Sequence, residues 1–304
     1  MIKVDPSDKR GFVSNFALVL NQARQKDQCL VLPGAYDALS ARIIESQGFE
    51  AVYLTGAGFA NSGLGVPDIG LVTASELRDH VARVADVVSI PLVVDADTGF
   101  GNAINMRRTI RMLERAGASA VQIEDQVFPK KCGHFSGKDV ISLNEMIQKI
   151  HAAVDARDSN DLQIIARTDS RAVFSLDVAL ERAAAFKEAG ADIIFVEAPE
   201  SIEEMRIIGK SSDLPLVANM VEGGKTPLKT VEELSALGFS IALFANAALR
   251  SAQKAVTETM SELKETGSTN GVLHALSGWE DRQNAVGKSY FDELESKYST
   301  EESL

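Results

Sequence analysis

Eight short apolar runs recur along this chain, most of them ending on a polar or acidic residue and followed by a stretch with helical spacing. The first is Leu30-Val31-Leu32, ahead of DALSARIIESQG. Ala51 to Leu54, Pro91 to Val94 ending at Asp95, and Ala120 to Ile123 ending at Glu124 follow. Then come Gln163 to Ala166 ending at Arg167, Ile193 to Val196 ending at Glu197, Pro215 to Ala218 ending at Asn219, and Ile241 to Phe244. Strands covered on both faces read as continuous apolar runs, as a parallel sheet wrapped by helices requires. Between them, Leu176, Ala179, Leu180 and Ala183 share a helical face before Gly190, and Ile110, Leu113 and Ala116 precede Gly117; a glycine just past a helix is a good stop. Eight β-then-α units in about 220 residues suit a (β/α)8 TIM barrel better than a doubly wound sheet, which has fewer strands and a Gly-rich phosphate turn. No G-x-G-x-x-G or P-loop is present. The reading is therefore an α/β barrel domain over 1–250 and a charged, helical C-terminal extension over 251–304, broken at Gly267 to Gly271, that packs on the barrel or on a neighbouring subunit.

With 304 residues, 45% of them hydrophobic, the chain can bury a sizeable core. A net charge of -12 gives no electrostatic reason to expect nucleic acid, which needs clustered Lys and Arg. It leaves room for a local basic pocket and a small anionic substrate. No apolar run approaches the roughly 18–20 residues of a membrane span, and the N-terminus lacks a signal-peptide core with a cleavage site, so the expectation is a cytoplasmic protein. The two cysteines, Cys29 and Cys132, stand in different contexts, one opening an apolar run and one in a polar, glycine-containing segment, which argues against a disulfide.

In a barrel of this kind chemistry collects at the C-terminal ends of the strands. There the chain places Thr55-Gly56-Ala57-Gly58, Asp95-Ala96-Asp97, Glu124-Asp125, Arg167-Thr168-Asp169, Glu197 and Asn219. Any one of these is readily explained as a helix cap or a surface ion pair; all of them at one rim are not. Asp95 and Asp97 are two apart, so on a continuing strand their side chains point to one face. Two close carboxylates repel unless a cation joins them, which points to a hard divalent ion, Mg2+ with Mn2+ as a substitute, bound through few protein ligands and several waters. Glu124 is placed to bind that ion or one of its waters. The sharpest feature is Lys130-Lys131-Cys132-Gly133-His134: a thiol flanked by cations sits in positive potential that favours the thiolate, and the glycines suit a loop that closes over substrate.

KKCGH resembles the signature loop of isocitrate lyase and its shorter relatives. YLTGAG, GVPDIG, VDADTGFG, QIEDQ, ARTDS, VEAPES and NMVEGGKTP resemble the isocitrate lyase and phosphoenolpyruvate mutase superfamily in the same order over roughly residues 30 to 250. The resemblance implies that Tyr53, Thr55, Gly56 and Ala57 hold a pyruvate-like carboxylate. It also implies that Asp95 and Asp97 position Mg2+, with Asp68 and Glu124 acting through its waters, and that Arg167 pairs with the 2-oxy and carboxylate end. Glu197, Asn219, Thr226 and Arg250 line the remainder, while Lys130, Lys131, Gly133 and His134 accompany Cys132 on the gating loop. It further implies a homotetramer that exchanges C-terminal helices.

The activity implied is Mg2+-dependent cleavage of a small 2-hydroxy di- or tricarboxylate, of the 2,3-dimethylmalate or 2-methylisocitrate type, with Cys132 protonating the departing carbon. The acceptor of the C2 hydroxyl proton stays open between Tyr53 and a metal-associated water assisted by Glu124. Phosphonopyruvate or phosphoenolpyruvate mutases and hydrolases of this superfamily carry a different loop; an oxaloacetate hydrolase keeps the cysteine and is the nearer rival. Glu222-Gly223-Gly224 and the apolar Phe135 favour a dicarboxylate slightly. Ala245 departs from the pattern, standing where Pro or Ser is expected. A binding protein without activity would be expected to lack a ligand or the thiol, and every such position is filled.

Overall fold

A computed structural model describes residues 15–131 and 137–299. Eight parallel strands close in the order β1-β2-β3-β4-β5-β6-β7-β8. They are β1 (Leu30–Ala35), β2 (Val52–Leu54), β3 (Leu92–Asp95), β4 (Ala120–Glu124), β5 (Gln163–Thr168), β6 (Ile193–Val196), β7 (Leu216–Asn219) and β8 (Ile241–Phe244). The seam is sealed by β1 against β8, Leu30 opposite Ile241 and Leu32 opposite Leu243. At its upper end only a glycine fits: a Cβ on Gly34 would lie 2.0 Å from the Ala245 carbonyl oxygen.

The two-residue period of each strand sorts its side chains into two cores. Val52, Leu54, Val94, Val121, Ile164 and Ile194 point outward into the layer between barrel and helices. Leu32, Tyr53, Val93, Ile165, Phe195 and Leu243 point inward. The inner core also takes in Phe16, Leu20 and Ala23, from a helix Phe16–Gln25 that precedes the first strand. Strand-then-helix periodicity alone does not announce that helix, because its apolar residues belong to the barrel interior and not to a β/α unit.

The helices between strands begin where the sequence supplies caps. Asp37 with Ser40, Thr73 with Glu76, Asn102 with Asn105 and Thr230 with Glu233 form reciprocal capping boxes. Gly117 and Gly190, at φ 108° and 99°, turn the chain out of its helices in the left-handed conformation glycine permits. The chain divides into two compact units, 1–249 and 250–304. The helix Ala247–Thr266 crosses that division, and within the second unit a 3-10 turn Asn270–Ala275 and the helices Trp279–Ala285 and Lys288–Tyr298 follow. Among the described residues no helix is long and apolar enough to cross a membrane.

Candidate active site

Strands β3 to β7 each follow an inward apolar residue with a polar one two positions later. Val93 is followed by Asp95, Ala120 by Gln122 and Glu124, Ile165 by Arg167, Phe195 by Glu197 and Val217 by Asn219. The barrel interior thus changes from apolar to ionic in one layer at its C-terminal mouth. Asp95, Glu124, Arg167, Glu197 and Asn219 line one cavity there, with Tyr53, Thr55, Ala57, Asp68, Lys130 and Lys131 also on its wall.

β3 stops at Asp95, and Asp97 has a left-handed backbone with φ 48°, so the pair does not converge by sharing a strand face. Instead the chain turns back: the Asp97 N–H lies 3.3 Å from Asp95 Oδ1 as donor. A Cβ on Gly56 would sit 3.2 Å from Asp95 Oδ2 and 3.3 Å from Asp97 Oδ1, so both carboxylates flank the same point. The Gly56 N–H is turned to Asp95 Oδ2 at 3.3 Å, and Thr55 Oγ1 accepts the Gly58 N–H. Tyr53 donates its hydroxyl to Gln122 Oε1 at 3.0 Å, and Gln122 Nε2 donates to Asp95 Oδ1 at 3.2 Å. Burial, helped by the Asp95 charge, pushes the Tyr53 phenol well above its usual range.

Lys130, 4% exposed, brings its ammonium to 2.5 Å from Asp68 and 2.8 Å from Asp97. Burial disfavours that charge, but Asp97, Glu124, Asp68 and Asp95 together outweigh it and hold the ammonium protonated. Asp97 is pushed up to about 7, chiefly by burial, with Lys130 pulling down and Asp95 and Asp68 pushing up. Among the described residues no three carboxylate, imidazole or thiol groups converge closely enough to hold a metal ion as they stand. The donor set nevertheless fits a hard divalent cation, since it is made of carboxylate oxygens only. Glu124 Oε1 is buried without a hydrogen-bond partner, and burial holds the Asp97 and Glu124 carboxyls above their usual range.

Arg167 is held on three sides. Its Nε donates to Asp169 at 2.9 Å and lies 3.3 Å from Glu124, a terminal nitrogen lies 3.7 Å from Glu197, and its guanidinium stands 5.1 Å above the Phe195 ring. Asp169, fully buried, also receives Lys138 at 2.7 Å; despite its burial, Arg167 and Lys138 hold its carboxyl below the usual range. Beneath it Asp125 accepts from Thr168 Oγ1 at 2.7 Å, the Asp169 N–H at 2.9 Å and Arg182 at 2.9 Å. Burial, along with Arg167 on one side and Asp169 and Asp97 on the other, leaves the Glu124 carboxyl well above its usual range.

Cys132, Gly133 and His134 lie outside the described residues. Their neighbours do not: the Lys131 backbone is paired with the Gln126 side chain at 2.9 Å in both directions, the Lys131 ammonium reaches the Gly137 carbonyl at 2.7 Å, and Lys138 is on Asp169. Val127 and Asp139 join through the backbone just outside. Thr226 is buried after β7 but does not line the cavity, and Arg250 belongs to the second unit. Asp125 and Asp169 carry the strand-end signal but no assigned role, and Gln122 shares the parity of Glu124 in QIEDQ; nothing local in the sequence marks Lys138 or Arg182, whose places depend on which strands are neighbours.

A larger open groove of about 760 Å3 lies beside the starts of β1 and β2, next to Cys29. It is at the wrong end of the strands for barrel chemistry, and burial pushes the free Cys29 thiol up to about 12, which keeps it unreactive.

The family described as phosphoenolpyruvate phosphomutase matches residues 20–264. The 2,3-dimethylmalate lyase of Eubacterium barkeri is 44% identical over 286 residues, 94% of this chain and 99% of that one. The 2-methylisocitrate lyase of Aeropyrum pernix is 45% identical over 282 residues, 93% of this chain and 91% of its own. Among solved structures, oxaloacetate acetylhydrolase with 3,3-difluorooxalacetate superposes with a TM-score of 0.87 at 34% identity, covering 94% of this chain and 97% of that one. Phosphonopyruvate hydrolase, solved with oxalate and Mg++, has a TM-score of 0.80 at 31% identity, covering 92% and 99%.

Proposed function

The chain belongs to the phosphoenolpyruvate phosphomutase family, and from that premise we propose that it is a carbon–carbon lyase cleaving a small 2-hydroxy di- or tricarboxylate to a 2-oxoacid and a carboxylic acid. The observation that carries the reading is that Arg167, Asp95 and Glu124 line one cavity at the barrel mouth, with Asp97 beside Asp95. Asp95 and Asp97, with Asp68 and Glu124 through waters, would hold a magnesium ion, whose charge offsets the negative charge that gathers on the substrate's 2-oxygen and C1 carboxylate.

Arg167 binds the same end of the substrate, and its orientation is fixed by Asp169 and by Phe195 beneath it. Tyr53 keeps its proton, because burial and Asp95 both oppose ionisation, and so serves as a hydrogen-bond donor and not as the base. Glu124, held well above the usual carboxyl range by burial and with one oxygen unpaired, would take over the C2 hydroxyl proton through water. As C2 becomes a carbonyl the C2–C3 bond breaks, its electron pair stays on C3 in conjugation with the carboxylate there, and the Cys132 thiol returns a proton to C3. The positions of Lys131 and Lys138 at the cavity and on Asp169 support a role at the mouth for the segment between them.

The subunits assemble as a tetramer with exchanged C-terminal helices in this account. The apolar side chains exposed in 250–304 support that arrangement, among them Val256 at 59%, Trp279 at 73% and Phe291 at 60%. The activity is tested by incubating the purified protein with 2,3-dimethylmalate, 2-methylisocitrate, oxaloacetate and phosphonopyruvate and identifying products. Pyruvate from either of the first two supports the lyase; oxalate and acetate from oxaloacetate alone would replace it with a hydrolase.

A further inference from the structure

The wall of the cavity opposite the acidic corner is unusual for a pocket that receives anions. In the closed order of strands β8 stands across from β4 and β7 across from β3. There the cavity is bounded by Asn219, Val221, Leu243, Ala245 and Asn246. Two amide oxygens in this wall, Asn219 Oδ1 and Asn246 Oδ1, are buried with no hydrogen-bond partner. A buried polar atom left unpaired is destabilising and rare in folded proteins, so a cluster of them calls for a partner that binds.

The two differ in how they are held. Asn219 directs its amide nitrogen at Glu197, 3.4 Å from each carboxylate oxygen, and turning it over would set oxygen against oxygen. Among the described residues no side-chain hydrogen bond fixes the orientation of Asn246, in the turn after β8, so a half-turn of its amide exchanges an acceptor for a donor. Its neighbours on this side, Val221, Leu243 and Ala245, supply no competing polar group.

We propose that Asn246 is a specificity-determining residue: its carboxamide hydrogen-bonds a polar substituent on C3, the carbon that departs, so the chain prefers a C3 carboxymethyl group to a C3 methyl group. This rests on the lyase reading above. With C1 and the 2-oxygen engaged by Arg167 and the carboxylate corner, the C3 substituent is the part of the substrate that reaches the opposite wall. A methyl group there shields Asn246 from water and leaves it unpaired; a carboxymethyl group accepts its N–H. Sites built to bond a polar group discriminate against analogues that lack it far more strongly than apolar pockets discriminate by size. The inference runs against the slight dicarboxylate preference suggested by Glu222-Gly223-Gly224 and Phe135, and it is the side-chain chemistry of the cavity wall that decides.

The test compares kcat/KM for 2-methylisocitrate, with carboxymethyl on C3, and 2,3-dimethylmalate, with methyl there, in the full-length protein with Mg2+. Wild type is expected to prefer the first by roughly 10- to 100-fold. Asn246→Leu should remove that preference, by raising KM for 2-methylisocitrate more than it lowers kcat, and should improve 2,3-dimethylmalate. Asn246→Asp, of the same shape, should weaken 2-methylisocitrate further by setting carboxylate against carboxylate, and it carries the test if the leucine variant does not fold. A wild-type preference for 2,3-dimethylmalate, or a substrate ratio unmoved in the folded variants, overturns the role of Asn246 while leaving the lyase standing. A wild type that cleaves neither compound removes the lyase reading and this inference together.

Discussion

Asp169→Asn isolates the support beneath Arg167. The carboxylate is fully buried and takes two bonds from Arg167, at 2.9 and 3.2 Å, and one from Lys138 at 2.7 Å. The amide keeps the shape and one acceptor oxygen but removes the charge that Lys138 and Arg167 share, so Arg167 depends more on its longer contacts to Glu124 and Glu197, 3.3 and 3.7 Å. Breaking one side of a buried ion pair costs about 3–5 kcal/mol, and the network geometry places this site in that range and not in the ~0–1 kcal/mol of exposed pairs. Urea unfolding followed by circular dichroism measures the loss. Lys138→Met is the internal comparison: it leaves Asp169 still bonded twice to Arg167 and should cost less than Asp169→Asn. The reasoning is refuted if Asp169→Asn lies within about 1 kcal/mol of wild type, or if Lys138→Met is the more damaging of the two.

His80 is buried against Phe59, ring centroids 4.0 Å apart, and burial, with Arg83 nearby, pulls its pKa down to about 4. The folded state therefore favours the neutral ring, so its contribution is complete above about 6.5 and is lost as pH falls toward 4. Relative to His80→Gln, wild type should lose about 1–2 kcal/mol of extra stability between pH 7 and pH 5, and parallel stability curves would remove the claim. Gly34→Ala should destabilise by about 3 kcal/mol or prevent folding, because backbone and not a flexible side chain lies 2.0 Å from the added carbon; a melting temperature equal to wild type would contradict this. Cys132→Ser should reduce turnover at least about a hundredfold without altering the fold, and unchanged turnover would take the thiol out of the mechanism.

The barrel was legible because the β/α alternation is covalent: apolar runs buried on both faces cannot disguise themselves, and all eight fall within the observed strands or at their edges. Residues at strand ends were legible for the same reason, the two-residue period carrying interior parity from Ile165 to Arg167 and from Val217 to Asn219. Asp97 was found by an argument that fails in detail, since its left-handed backbone ends the strand first. What could not be read was contact across the barrel. Arg182 meets Asp125 from 57 positions away, and Lys138 meets Asp169 from 31; pairing of that kind follows from strand neighbours, which no local pattern encodes. The burial of Lys130 between Asp68 and Asp97 is equally non-local, since KK reads as a solvated surface in isolation.

The central claim, carbon–carbon cleavage that depends on a divalent ion at the Asp95 and Asp97 corner, is tested most directly by product stoichiometry with and without chelator. In Mg2+, one pyruvate and one propionate should appear for each 2,3-dimethylmalate consumed, or one pyruvate and one succinate for each 2-methylisocitrate. Excess EDTA should abolish both and added Mg2+ should restore them. Undiminished turnover in EDTA, or substrate consumed without equimolar pyruvate, would contradict the account.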